Sequence, residues 1–193
     1  MLGVVDVTTG KEIVPVKYTS TMAYNRYVRY EYDLNKYFEQ EKLMPVERNG
    51  YYGYVDRNGT EVIPCIYDYA EIFSEGLAYV RKDGRGLIIN TKNETVGTLP
   101  EGYQGWFFSE GLIMVTDTSV FPEMYGYCDA YGNIVIKPQY LAGSEFTGGV
   151  AIVRDWSGTG VVDRNNKVIV PFGIYDSIKY SGDKDRLLAF KYR

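Results

Sequence analysis

Histidine is absent from the 193 residues, and only two cysteines are present. Without an imidazole, Ser-His-Asp hydrolysis, Cys-His proteolysis and nearly all zinc chemistry fall away. Cys65 and Cys128 are too few for a metal cluster or a disulfide framework. No apolar run approaches the ~20 residues that span a bilayer. The opening stretch MLGVVDVTTGK lacks a basic segment followed by a long apolar one, so neither signal peptide nor transmembrane segment is expected. A basic excess is missing too. Lys and Arg number 21 against 25 Asp and Glu, for a net charge of −4, and they are scattered through turns. Nucleic acids and anionic membranes call for the opposite footprint.

What is present in excess is tyrosine, at 20 residues, a ring that suits strands because it packs while its hydroxyl stays wet. Self-similarity explains many of these rings. A unit of about 35 residues recurs five times, a length typical of repeat proteins. Its first element reads LGVVDVTTGKEIVPVKY from Leu2, YGYVDRNGTEVIPCIY from Tyr52, RGLIINTKNETVGTLPEGY from Arg85, YGYCDAYGNIVIKPQY from Tyr125 and TGVVDRNNKVIVPFGIY from Thr159. A second element follows, as FSEGLAYVR from Phe73, FSEGLIMVT from Phe108 and FTGGVAIVR from Phe146, with weaker copies at Lys42 and Arg186.

The first element spells a hairpin. Tyr54-Val55, Tyr127-Cys128 and Val161-Val162 are short strands ended by Asp56, Asp129 and Asp163. An aspartate there accepts from backbone N–H two residues on, and glycine three residues later takes the left-handed conformation, as at Gly59 and Gly132. The returning strand is predicted to end at Pro15, Pro64, Pro100, Pro138 and Pro171, since proline has no N–H for a ladder. The second element supplies a third strand, paired by a tight turn such as Asp83-Gly84 to the first strand of the next unit. Its apolar residues are consecutive (Leu77 to Val80, Leu112 to Val115), which predicts burial on both faces. A lone three-stranded sheet is marginal in water, so stability is expected from stacking. The third unit is degenerate, with Asn90 where the others place the turn aspartate.

The runs YGYVDRNGTEVIP, IYDYAEIFSEGLAYV and YGYCDAYGNIVIKPQY resemble WG repeats, the KWG-type repeats of bacterial proteins. The signature Trp is missing in all five copies, its column holding Leu2, Tyr52, Arg85, Tyr125 and Thr159. The resemblance implies a repeat scaffold and brings neither a shared catalytic activity nor a cofactor. It leaves the compartment open between the bacterial cytoplasm and export after processing.

The repeat absorbs most residues that look chemical. Asp6, Asp56, Asp129 and Asp163 each open a turn and would sit one unit apart rather than converge. Glu75 and Glu110 hold equivalent loop positions, and glycoside hydrolysis would need two acids in one cleft. Cys128 stands in an apolar column and reads as core, while Cys65 lies in a variable position with nothing beside it to activate it. Residues the repeat does not explain are the candidate ligand-binding set: Tyr27, Tyr30 and Tyr32 in a Tyr-rich insertion over 19–42, with Trp106 and Trp156. The run TSVFPE also lengthens the connection before Met124.

The expected fold is therefore all-β, a single repeat domain over 1–193 with units 1–49, 50–83, 84–119, 120–156 and 157–193. Three-stranded meanders would stack in an open twisted array, which the unequal spacing of the leading glycines favours over a propeller-like ring. The expected function is a non-catalytic scaffold for protein–protein interaction. Carbohydrate or cell-envelope binding through exposed rings is the alternative. No catalytic residue, metal or cofactor is predicted, nor is nucleic acid or membrane insertion, and self-association through repeat ends stays open.

Overall fold

The computed structural model describes residues 2–5, 8–21, 43–183 and 186–192. These residues form antiparallel strands joined by turns, with no helix among them, and hence none long and apolar enough to cross a membrane. The first sheet is the hairpin of β1 (Leu2–Val5) and β2 (Glu12–Tyr18). The second runs in order β3 (Ser20–Thr21), β4 (Leu43–Arg48), β5 (Tyr51–Asp56) and β6 (Glu61–Tyr67). The third holds β7 (Tyr69–Ala70), β8 (Leu77–Lys82), β9 (Arg85–Asn90) and β10 (Thr95–Thr98). The fourth holds β11 (Tyr103–Ser109), β12 (Leu112–Asp117), β13 (Met124–Asp129) and β14 (Ile134–Tyr140). The fifth holds β15 (Ala142–Gly143), β16 (Val150–Asp155), β17 (Gly158–Asp163) and β18 (Val168–Val170). The last pairs β19 (Ser177–Tyr180) with β20 (Leu187–Phe190). The chain divides into two compact units after Val96.

Every four-stranded sheet is a meander, and each adds one strand to the three expected. That extra strand is two residues long in β3, β7 and β15, because it opens directly after the trailing tyrosine of the hairpin before it. The sequence unit and the sheet are consequently out of phase. In the second sheet β4 comes from one repeat and β5 and β6 from the next, joined by six consecutive pairs from Leu43↔Asp56 to Arg48↔Tyr51.

The turn chemistry is as the sequence dictates. Asp56 Oδ1 accepts from Asn58 N–H at 2.8 Å and Thr60 N–H at 2.9 Å, and Asp129 and Asp163 repeat the pattern. The degenerate third unit makes the same turn, since Asn90 Oδ1 accepts from Lys92 N–H and Glu94 N–H at 3.0 Å each. An amide oxygen serves there as well as a carboxylate.

The prolines behave differently from expectation in β2, β6 and β14, which run on through Pro15, Pro64 and Pro138 to the tyrosine. Registers Tyr54↔Ile63 and Tyr52↔Tyr67 set two steps of β5 against four of β6, so the proline sits in a bulge where no ladder N–H is required. The leading glycine lies beneath that bulge. A Cβ on Gly53 would stand 2.5 Å from Ile63 O and 2.6 Å from Cys65 N, and one on Gly126 2.5 Å from Ile136 O. In the third and fifth sheets the returning strand does stop ahead of its proline, at Thr98 before Pro100 and at Val170 before Pro171.

Consecutive apolar residues on the third strands β4, β8 and β12 are buried on both faces, whereas β16 alternates and β20 is largely exposed. Leu43, Met44, Pro45 and Val46 are all buried; Met44 and Val46 pack with Val14 and Tyr18 of the first sheet, and Leu43 with Phe73 and Val80 of the third. In the first unit the main cluster is Tyr54, Ile63, Tyr67, Phe73, Ala78, Val80 and Ile89. The second unit repeats it at identical spacing with Tyr127, Ile136, Tyr140, Phe146, Ala151, Val153 and Val162. Hydrogen bonds repeat as well. Tyr54 O–H donates to Glu71 O at 2.7 Å and Tyr127 O–H to Ser144 O at 2.6 Å. Tyr67 O–H reaches Asn93 Oδ1, and Tyr140 O–H reaches Asn166 Oδ1, each at 2.5 Å. Buried tyrosines thus tie one sheet to the next without leaving a polar atom unpaired.

Candidate functional site

Tyr27, Tyr30, Tyr32 and the proposed strand and helical turn of the insertion lie outside the described residues, as does Asp6. The remaining candidates separate clearly. Trp106 is half-buried on β11, beside a register shift between Gly105 and Phe108, and its indole N–H donates to Thr116 Oγ1 at 3.0 Å. Trp156 is 76% exposed in the turn between β16 and β17. Glu110 has both carboxylate oxygens engaged by Gly148 N–H at 2.7 Å and Gly149 N–H at 2.9 Å. Asp129 is also committed to its turn: burial would raise its carboxyl, but hydrogen bonds from Asn133, Tyr131 and Gly132 outweigh this and hold it below the usual range. Cys128 is buried, and burial, with Asp129 beside it, pushes its thiol up to about 12. Burial likewise raises the half-buried Cys65, with Glu61 adding to the effect. Neither sulfur is a thiolate at neutral pH. Among the described residues no group of His, Cys, Asp or Glu is arranged to hold a metal ion.

Two surface features set the second unit apart from the first. The connections from third strand to next first strand are Asn49-Gly50 and Asp83-Gly84 in the first unit, tight polar turns with positive φ at both residues. At the corresponding places the second unit shows Trp156, and Val120-Phe121 in the lengthened loop, with Phe121 fully exposed. That loop is tied down, since Thr118 N–H and Oγ1 both donate to Gly102 O and Ser119 N–H to Asp117 Oδ1. The edge strands β14 and β18 also display Ile134, Val168 and Ile169, each 43–49% exposed, whereas Val135 has a similarly exposed counterpart in Val62 of the first unit. Position 134 in the first unit is filled by Glu61, which takes a bidentate pair from Arg48 at 2.7 and 2.8 Å.

The second feature is a cleft. On the third sheet Tyr69, Glu71 and Tyr79 fill the space over β7 and β8: Tyr69 and Tyr79 rings lie 6.2 Å apart, Tyr69 O–H donates to Glu71 Oε1, and Arg81 lies over the Tyr69 ring at 6.0 Å. Glu71 is 4% exposed. Burial raises its carboxyl above the ordinary range, although hydrogen bonds from Tyr69 and Ile72 N–H pull the other way. The fifth sheet has Ala142, Ser144 and Ile152 at these positions, and Arg154 in place of Arg81. The smaller side chains leave an open cleft of about 540 Å³ between the β15–β16 side of the sheet and β19. Tyr180 floors it, its hydroxyl 2.9 Å from Ser144 Oγ and donating to Glu145 O at 3.0 Å.

Small antiparallel meanders in tandem, with turn aspartates and inter-sheet tyrosines recurring in step, define a β-repeat protein. Residues 52–85, 125–155 and 160–186 each match the family model described as WG containing repeat. The chain is a WG-repeat protein, and Tyr52 and Tyr125, in the column of the missing Trp, are half-buried against the two main clusters. A search of curated proteins returns no match.

Proposed function

We propose that this chain is a non-catalytic scaffold that binds another protein, and that the second unit carries the contact surface. The observation behind this reading is the pair of exposed rings, Phe121 and Trp156, at turn positions where the first unit places Asn-Gly and Asp-Gly. A fully exposed phenylalanine on a loop held by its own hydrogen bonds is an anchor of the kind that dominates protein interfaces, and tryptophan is the residue most enriched there. The neighbouring polar atoms favour protein over sugar. Asp155 Oδ1 beside Trp156 is taken by Ser157 and Gly158 N–H, whereas a sugar subsite needs polar groups free to orient hydroxyls.

The test replaces Phe121 with a photo-crosslinking phenylalanine analogue, identifies the protein joined to it, and titrates that protein in purified form. Phe121→Ser and Trp156→Ala should each weaken binding by about 10-fold or more, as anchors do. Unchanged affinity in the double variant would reject the surface. Binding confined to a glycan panel and lost with Trp156→Ala would favour carbohydrate recognition instead.

A further inference from the structure

Neither Phe121 nor Trp156 lines the cleft of the fifth sheet, which has its own chemistry. Its walls include two sheet edges, since among the described residues β15 pairs only with β16 and β19 only with β20. Edge strands leave one side of their backbone open to accept a further strand. The side chains at the mouth are cationic: Arg154 and Lys179 both line it and both are exposed. Arg81, the counterpart of Arg154, is laid over the Tyr69 ring, but position 142 is alanine, so this partner is removed from Arg154. Lys179 Nζ rests 5.9 Å from the Phe190 ring centroid, which leaves its charge available. Among the described residues the one carboxylate in the lining, Asp176, accepts from Tyr192 N–H at 2.6 Å through Oδ2. Ser177 and Thr159 add hydroxyls to the wall. The result is a locally cationic cleft on a chain whose net charge is −4.

We infer that this cleft takes an acidic polypeptide segment in extended conformation, its backbone lying along β15 or β19 and its carboxylates meeting Arg154 and Lys179. The volume lies within the range of ligand clefts, roughly 300–1,000 Å³. Main-chain pairing supplies affinity that tolerates many sequences, and the two cations select the charge.

The test measures anisotropy of a fluorescein-labelled hexapeptide of alternating Val and Glu, with a Val/Lys peptide as control, against the whole chain. The acidic peptide should bind and the basic one should not. Ala142→Tyr with Ile152→Tyr, which copies the filled cleft of the first unit, should weaken binding by at least ~10-fold, as should Arg154→Glu or Lys179→Glu. The two charge reversals lie on the surface and report even where the filling variant folds poorly. Phe121→Ser should leave peptide binding unchanged, so failure of this site and of the exposed-ring surface are distinguishable. Equal binding of both peptides, persistence of binding in all three variants, or no binding up to about 1 mM would overturn the inference. So would succinate competing as strongly as the peptide does, which would mark a small-anion site.

Discussion

The first and second units share an interior and differ in what they do with it at the surface. Seven core positions from Tyr54 to Ile89 recur at the same spacing from Tyr127 to Val162, with the same edge-to-face contact of Tyr54 on Phe73 and Tyr127 on Phe146, at 4.7 and 4.8 Å. Outside that set the units diverge in one direction. The first closes its spaces with large or paired groups: Tyr69, Glu71 and Tyr79 over its third sheet, and Glu61 on Arg48. The second leaves Ala142, Ser144 and Ile152 over its fifth sheet and apolar Ile134 at the edge. The lesson is that in such repeats identity of core says little about use. Function is carried by positions the stacking does not constrain.

The largest effect expected from breaking this comparison lies in what both units hold in common. Gly53→Ala and Gly126→Ala each drive a methyl into the backbone of the opposing bulge, at 2.5 Å from a carbonyl oxygen. Each should cost about 3 kcal/mol or more in urea unfolding. Gly160→Ala should cost less, because its added Cβ meets the Phe172 ring at 2.7 Å and a side chain can turn away. Equal losses at all three glycines would contradict the bulge as the reason for the leading glycine.

A smaller effect sharpens the equality of the two cores. Tyr54→Phe strands the Glu71 carbonyl and Tyr127→Phe the Ser144 carbonyl, each in a buried or half-buried place. Each should lower stability by ~1–3 kcal/mol, the cost of an unsatisfied buried acceptor, and the two losses should agree closely. A clear difference between them would show that the repeat of geometry is not a repeat of energetics.

The smallest effect, a slope rather than a step, belongs to Glu71, whose counterpart is Ser144. Burial raises its folded-state carboxyl above the unfolded value, so between those two values the folded state holds more protons. Stability should therefore fall as pH climbs from the ordinary carboxylate value through the raised one. Glu71→Gln should flatten that slope in unfolding curves recorded across acid pH. A slope unchanged in the variant would place its origin in another group.

Much of this was legible from residues alone, and the gaps have physical causes. Aspartate turns and double-faced third strands followed from local hydrogen bonding and from apolar runs too continuous for a half-wet sheet. Proline was misread as a stop because a missing N–H matters only where a ladder bond is due. The bulge that excuses it is signalled by glycine on a different strand, Gly53 or Gly126, which local reading of β6 or β14 does not weigh. Asn90 looked degenerate because residue identity was read in place of the acceptor oxygen it shares with aspartate. Of the candidate site, Trp156 and the lengthened loop stood out as surplus to the repeat, and Trp106 did too until its N–H found Thr116. The cleft had a signal, Tyr69, Glu71 and Tyr79 against Ala142, Ser144 and Ile152. It becomes visible only once register shows that these residues face one space.

The phase offset between repeat and sheet makes each junction a lap joint. A cut at a sequence boundary such as Asp83-Gly84 severs a sheet through its middle, between strands paired along six residues. A duplicated or deleted unit therefore arrives carrying halves of two different sheets, and the joint is remade by the same third-to-first strand pairing whichever neighbours it meets. Copy number can change in such a chain without a new interface having to be invented, while the faces exposed on each sheet remain free to drift.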